Sequence, residues 1–190
     1  MTGLILSGGE SRRMGKDKGL LLRSGKSWVE TTTDIFRSVS LPFVVSVNPA
    51  QERHYQSTLA GYKLLPDNPA IAVKGPLTGV LSAHKALPAD DFLVLACDMI
   101  DMHVLVVQKL LEQYQQNNSF DAWVFKTEGE MQPLCAIYTN NALAKIMEML
   151  QNGKLYKFSM KYMLENLNIC VLTAPVEWLS YFKNYNAPGD

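Results

Sequence analysis

The chain has 190 residues; 18 Lys and Arg balance 18 Asp and Glu, 47% of residues are hydrophobic and 19% are charged. That length and composition suit one soluble globular domain and exclude a disordered or collagen-like chain. Zero net charge argues against nucleic acid as a partner, because bulk polyanion binders carry a basic excess or stripe.

Cys97, Cys135 and Cys170 lie far apart with no C-x-x-C pair, so neither a disulfide framework nor a structural zinc site is expected. Three apolar residues precede Ser7-Gly8-Gly9, too few for a signal peptide, and no stretch approaches the roughly 20 apolar residues of a membrane span. Free thiols without an export signal lead to the expectation of a cytoplasmic protein with no membrane partner.

In chain order, Leu4-Ile5-Leu6 reads as a buried strand cut by a Gly-rich, basic loop over residues 7–18. Helical spacing over Val29 to Val39 ends before Pro42, and the β-branched run from Phe43 to Asn48 is a second strand closed by Pro49. Gln51 to Leu59 is predicted helical, Tyr62 to Leu65 a third strand, and Pro66 to Pro76 a loop. Leu77 to Leu87 puts Leu77, Val80, Leu81, His84 and Leu87 on one helical face, where His84 reads as a packing residue. Phe92 to Asp98 is the clearest strand, apolar on both faces until it stops at a carboxylate, as a central parallel strand does. A helix from Leu105 to Tyr114 follows, then strands Trp123 to Lys126 and Leu134 to Tyr138. Helices over Ala142 to Leu150 and Phe158 to Asn166, and a strand from Ile169 to Thr173, complete the pattern. Alternating strands and helices predict right-handed crossovers in an α/β fold: a Rossmann-like, mostly parallel sheet with helices on both faces. The Trp123–Tyr138 strand pair predicts a small antiparallel insertion.

Ligands of open α/β sheets sit at the carboxyl ends of strands. The first such end is Ser7-Gly8-Gly9-Glu10-Ser11-Arg12-Arg13-Met14-Gly15-Lys16-Asp17-Lys18. Its glycines let the backbone approach an anion and turn N–H groups toward it, while Arg12, Arg13, Lys16 and Lys18 add positive charge, making a phosphate cradle. Residues 10–26 hold six basic and two acidic residues, so the zero net charge is a balance of two opposed regions. The loop is not a Walker A motif: Asp17 follows Gly15-Lys16, and Leu20 occupies the glycine position needed by Gly25-Lys26-Ser27. No G-x-G-x-x-G is present.

The run Leu6-Ser7-Gly8-Gly9-x-Ser11-x-Arg13-Met14-Gly15-x-Asp17-Lys18 resembles the opening of the molybdenum cofactor guanylyltransferase family, a relative of the sugar-nucleotide pyrophosphorylase loop. Val47-Asn48, Pro66-Asp67, Gly75-Pro76-Leu77-Thr78-Gly79, Cys97-Asp98-Met99, Gln132-Pro133-Leu134 and Asn184-x-Asn186-x-Pro188 resemble further motifs in the family's order. The resemblance spans nearly the whole chain and implies one nucleotidyltransferase domain over residues 1–190, with the nucleotide-diphospho-sugar transferase fold.

It also implies the chemistry. An acceptor phosphate on molybdenum-molybdopterin attacks the α-phosphate of GTP and expels pyrophosphate, with Mg²⁺ as cofactor. Asp98 is the implied metal ligand, and Arg13 and Lys18 hold the phosphates. Leu6, Ser7, Gly8, Gly9, Asn48 and Asp67 are implied nucleotide-site residues, and Gln132, Pro133 and Asn186 acceptor-site residues. Transient contacts with molybdenum cofactor-handling proteins belong to the same expectation. A cytidylyltransferase of the same cofactor, a sugar-phosphate nucleotidyltransferase and a non-catalytic nucleotide-binding domain remain the alternatives. Plainer local roles also stand: Asp98 as a helix cap, Asn48 and Asp67 as turn residues, Asp101 as a surface carboxylate, and Cys97 and Cys135 as strand core. Ile100 stands where the family pattern has Pro, and Lys154, Lys157 and Lys161 stand where relatives tend to carry Arg.

Overall fold

The computed structural model describes residues 1–7 and 17–185. Gly8, Gly9, Arg12, Arg13, Lys16 and Asn186, expected above to bear on ligand binding, lie outside the described residues.

A seven-stranded sheet forms the centre. Its strands are β1 (Thr2–Leu6), β4 (Phe43–Val47), β5 (Leu64–Pro66), β6 (Phe92–Ala96), β7 (Ala122–Thr127), β8 (Glu130–Tyr138) and β9 (Ile169–Thr173), in the order β5-β4-β1-β6-β8-β7-β9. The short β2 (Leu22–Arg23) and β3 (Lys26–Ser27) form a separate hairpin absent from the sequence expectations. Only β8 runs against its neighbours, pairing antiparallel with both β6 and β7. The expected antiparallel insertion is therefore present, with β8 lying between β6 and β7 inside the sheet.

Among the described residues six α-helices flank the sheet: α1 (Trp28–Ser38), α2 (Glu52–Thr58), α3 (Pro76–Ala86), α4 (Val104–Gln116), α5 (Asn140–Gln151) and α6 (Met160–Glu165). Side chains alternate across each strand, so one face takes Ile5, Val45 and Leu95 and the other takes Leu4, Val44 and Val94. The first face packs α1, α2 and α4 through Val29, Phe36, Tyr55, Val106 and Leu110. The second packs α3, α5 and α6 through Leu77, Leu81, Leu143, Ile146 and Met163. Every residue of β6 is buried, as its two-sided apolar sequence requires. His84 is buried on α3, and Cys97 and Cys135 are core thiols. No helix among the described residues is long and apolar enough to cross a membrane.

Two local irregularities position the site. The β7–β8 register shifts between Val124 and Lys126, so Gln132-Pro133-Leu134 departs from the regular ladder. A proline without an N–H is tolerated at such a break. Ser27 opens α1 through a capping box: its Oγ accepts from the Glu30 N–H at 3.2 Å, and the Glu30 carboxylate accepts from the Ser27 N–H at 2.8 Å. Ser27→Ala removes that cap and should cost about 1 kcal/mol of folding stability in urea denaturation. An unchanged midpoint would mean that the box is not what starts the helix.

Candidate active site

The carboxyl edge of the parallel strands collects the residues the sequence singled out. Leu6 stands level with Ser46 on one side and Ala96 on the other, and Val47 with Pro66. Main-chain bonds extend this alignment past the strand ends: Ser7 N to Ser46 O at 3.0 Å, Cys97 N to Leu6 O at 3.1 Å, and Asp67 N to Val47 O at 2.9 Å. Leu6, Ser7, Asn48, Asp67 and Asp98 therefore share one edge.

Asp98 directly follows the buried strand β6 and Cys97. One carboxylate oxygen, Oδ2, lies 3.8 Å from Lys18 Nζ. The other, Oδ1, is buried with no hydrogen-bond partner among the described residues. Burial pushes the Asp98 carboxyl above its usual range, and the nearby Lys18 charge opposes the shift without cancelling it. Helix capping does not explain the residue, because α4 is capped by His103, whose Nδ1 accepts from Leu105 N at 3.3 Å.

Lys18 opens a short 3-10 turn over Lys18–Leu20. Asp17 caps that turn, its Oδ1 accepting from Gly19 N at 3.1 Å. The same oxygen accepts from the hydroxyl of Tyr55 on α2 at 2.7 Å, and that hydroxyl also bonds the Ser7 hydroxyl. Tyr55 is fully buried. Burial raises the Asp17 carboxyl, with the Tyr55 and Gly19 bonds opposing. Ser7, Tyr55 and Asp17 thus tie the end of β1 to the turn that carries Lys18. A side chain at position 19 has no room, since its Cβ would lie 2.0 Å from Ser7 Oγ and 2.3 Å from the Tyr55 hydroxyl.

On the other side of β1, Asp67 accepts from Ser46 Oγ at 3.3 Å, and burial raises its carboxyl. The turn after β5 is made instead by Asn68, whose Oδ1 accepts from Ala70 N at 3.0 Å. Asn48 does make a turn: its Oδ1 accepts from Ala50 N at 2.9 Å, so the amide NH₂ is what it can offer a ligand. Gly75, at φ 76°, leads into α3, and Gly79 lets that helix press against the ends of β1 and β4. A Cβ at Gly79 would come within 2.5 Å of Ser46 Oγ and 2.9 Å of Leu6.

Gln132 and Pro133 lie in the irregular part of β8. Counting on from the Leu95–Cys135 pair brings them level with the end of β6. Gln132 Nε2 donates to Thr127 Oγ1 at 2.5 Å, and the Pro133 carbonyl accepts from the Tyr138 hydroxyl at 2.8 Å.

Asp101 requires a correction. It is not a free surface carboxylate: Arg23 Nη1 donates to its Oδ1 at 2.6 Å and the Tyr185 hydroxyl to its Oδ2. Burial acts against ionisation there, but these two donors hold the carboxyl below its usual range. Arg23, Tyr55 and Tyr185 were not expected at the site. A lone Tyr in an amphipathic helix reads as core, and Arg23 and Tyr185 meet Asp101 only through tertiary structure.

Residues 3–166 match the MobA-like NTP transferase domain. The chain belongs to the MobA-like NTP transferase family. Members of this family are nucleotidyltransferases, and so is this chain. A probable molybdenum cofactor guanylyltransferase of Methanocaldococcus jannaschii is 31% identical over 196 residues, covering 98% of this chain and 94% of the relative. One from a Nostoc species is 29% identical, covering 100% and 88%. Among solved structures, molybdopterin-guanine dinucleotide biosynthesis protein A from Archaeoglobus fulgidus has a TM-score of 0.79 at 21% identity, covering all of this chain and 94% of that one. A 4-diphosphocytidyl-2C-methyl-D-erythritol synthase from Anaerococcus prevotii has a TM-score of 0.74 at 11% identity, covering 99% and 91%. These two are likenesses of fold, and the fold is the nucleotide-diphospho-sugar transferase type that the family resemblance implied.

Two outcomes follow from the site's packing and charge. A carboxyl whose folded-state pKa is raised adds stability below its unfolded pKa and loses that contribution as pH rises through the folded one. Ionisation of Asp98 therefore weighs against the fold, and without divalent ions Asp98→Asn should melt at a higher temperature than the parent chain above the pH at which Asp98 ionises. A lower melting temperature would contradict this electrostatic assignment. Gly19→Ala crowds Ser7 and Tyr55 and should lose about 1–3 kcal/mol in urea denaturation, whereas no loss would mean that the turn is not held as described.

Proposed function

We propose that the chain is a Mg²⁺-dependent guanylyltransferase that transfers GMP from GTP to the phosphate of molybdenum-molybdopterin, giving the guanine dinucleotide and pyrophosphate. Support comes from family membership together with one local observation: a half-buried carboxylate, its buried oxygen without a partner among the described residues, facing a lysine at the carboxyl end of the central strand.

Nucleotidyl transfer needs no covalent enzyme intermediate, so the protein's work is positioning and charge neutralisation. Lys18 acts on the negative charge that builds up at the α-phosphate. Arg13, from the loop outside the described residues, joins it on the phosphates. Asp98 fits Mg²⁺ as a hard oxygen ligand with a spare, buried oxygen, and an ion of this kind takes one or two carboxylates with waters and phosphate oxygens. Bound Mg²⁺ supplies neutralisation and alignment of the phosphates. Among the described residues no cluster of three His, Cys, Asp or Glu could hold a metal, so the other ligands in this reading are water and nucleotide.

Base choice is assigned to the other side of β1. The Asp67 carboxylate accepts hydrogen bonds, which suits the N–H donors on guanine's pairing edge. Asn48 and the main chain at Leu6 and Gly8 complete the contacts. Gln132, Pro133 and Asn186 are assigned to the acceptor. Transient contacts with molybdenum cofactor-handling proteins and a cytoplasmic location are part of the same proposal.

Asp98→Asn should abolish Mg²⁺-dependent turnover while weakening GTP binding less; unchanged turnover would overturn the metal assignment. For base identity, melting temperatures with Mg²⁺ and GTP, CTP, UTP or ATP should separate. A ligand at 100 times its dissociation constant stabilises by about 2.7 kcal/mol, so GTP should stand out, and equal shifts for all four would remove the guanylyl assignment.

A further inference from the structure

We propose that Tyr185 is a positioning residue for the Asp98–Lys18 pair. This rests on the reading of that pair as the nucleotidyl-transfer centre. The side chain lies far along the chain from both partners, yet its peptide groups reach them. Tyr185 N donates to the Asp98 carbonyl at 3.0 Å, and the Tyr185 carbonyl accepts from Lys18 Nζ at 3.4 Å. One residue therefore holds the main chain of the carboxylate and the ammonium group of the lysine.

The side chain fixes that residue in place. Tyr185 is 7% exposed and packs with Leu21, Trp28 and Ile100, a small core separate from the two faces of the sheet. Leu21 directly follows the Lys18 turn, and Ile100 lies two residues after Asp98. The ring therefore shares a core with residues from both segments that carry the 3.8 Å ion pair. The hydroxyl donates to Asp101, which also receives Arg23 Nη1 at 2.6 Å. Arg23 sits 5.5 Å and Lys183 4.5 Å from the ring centroid, and cations over an aromatic face are attracted to it.

Asp98 needs such an anchor because it stands in the connection between β6 and α4 without capping the helix. An aliphatic residue at position 185 would keep the two peptide contacts but lose the clip to Asp101. Holding reacting groups in register is where small displacements cost most in rate.

The test compares Tyr185→Phe, Tyr185→Ala, Asp101→Ala and the Phe/Ala double variant of positions 185 and 101 with the parent chain, using GTP, Mg²⁺ and molybdenum-molybdopterin. Turnover, the Mg²⁺ concentration at half-maximal rate, and the thermal shift caused by Mg²⁺ with GTP are read for each. Tyr185→Ala should lose about ten- to a hundredfold in kcat, need several times more Mg²⁺, and show a reduced ligand-induced shift. Tyr185→Phe should stay folded with a smaller loss in the same direction, and the double variant should lose no more than Asp101→Ala alone, since that change already removes the acceptor of the Tyr185 hydroxyl. Tyr185→Ala that merely melts earlier, with kcat and Mg²⁺ requirement unchanged, would overturn the role, as would additive losses in the double variant. Asp98→Asn in the same assay separates the two levels. If it is inactive while the Tyr185 variants behave like the parent, only the positioning role falls; if it is fully active, the site assignment falls and the positioning role with it.

Discussion

A carboxylate held at the end of the most buried strand, beside one lysine, is the constraint on which the site depends. Ionised Asp98 is expensive there, because burial takes water from it and Lys18 at 3.8 Å returns only part of the loss. A fold built for stability alone would place a neutral residue at that position. Retaining the charge is sensible where a cation and a polyphosphate complete the electrostatics, and perturbed carboxylates in clefts mark functional sites for this reason. Asp17 and Asp67 repeat the pattern on either side, each raised by burial and each supported by hydroxyl donors. The edge of the sheet is thus a row of partly compensated charges on a rigid platform.

Rigidity comes from below and is passed upward through few contacts. Parallel pairing of β5, β4, β1 and β6 aligns four strand ends. Gly79 and Gly19 then allow a helix and a turn to approach more closely than any side chain would permit. The buried Tyr55 hydroxyl joins the β1 end to Asp17, next to Lys18, while α2 follows the Asn48 turn. The element after the Asn48 turn and the turn that carries Lys18 therefore share one hydrogen-bonded link.

Much of this was legible in the sequence, for identifiable reasons. The run from Phe92 to Ala96 could only be a buried central strand, and the alternation around it required a mostly parallel sheet. The ordered motifs at Asn48, Asp67 and Asp98 located the carboxyl edge. The place of β8 inside the sheet was not legible, because local patterning shows that two strands form a hairpin but not where the hairpin docks. The β2–β3 hairpin has no local signature, since two-residue strands have no periodicity, although Ser27-Trp28-Val29-Glu30 spells the capping box that follows it. Asp101 looked like a surface residue because its partners, Arg23 and Tyr185, are separated from it by 78 and 84 positions. Such contacts have no local signature.

The most direct measurement follows the label of the nucleotide itself. With Mg²⁺ and molybdenum-molybdopterin, GTP labelled at the α-phosphate should pass its label to the pterin product in a one-to-one ratio with pyrophosphate release. GTP labelled at the γ-phosphate should yield labelled pyrophosphate and an unlabelled pterin product. Release of inorganic phosphate instead of pyrophosphate, or α-label that never reaches the pterin, would contradict guanylyl transfer by this site.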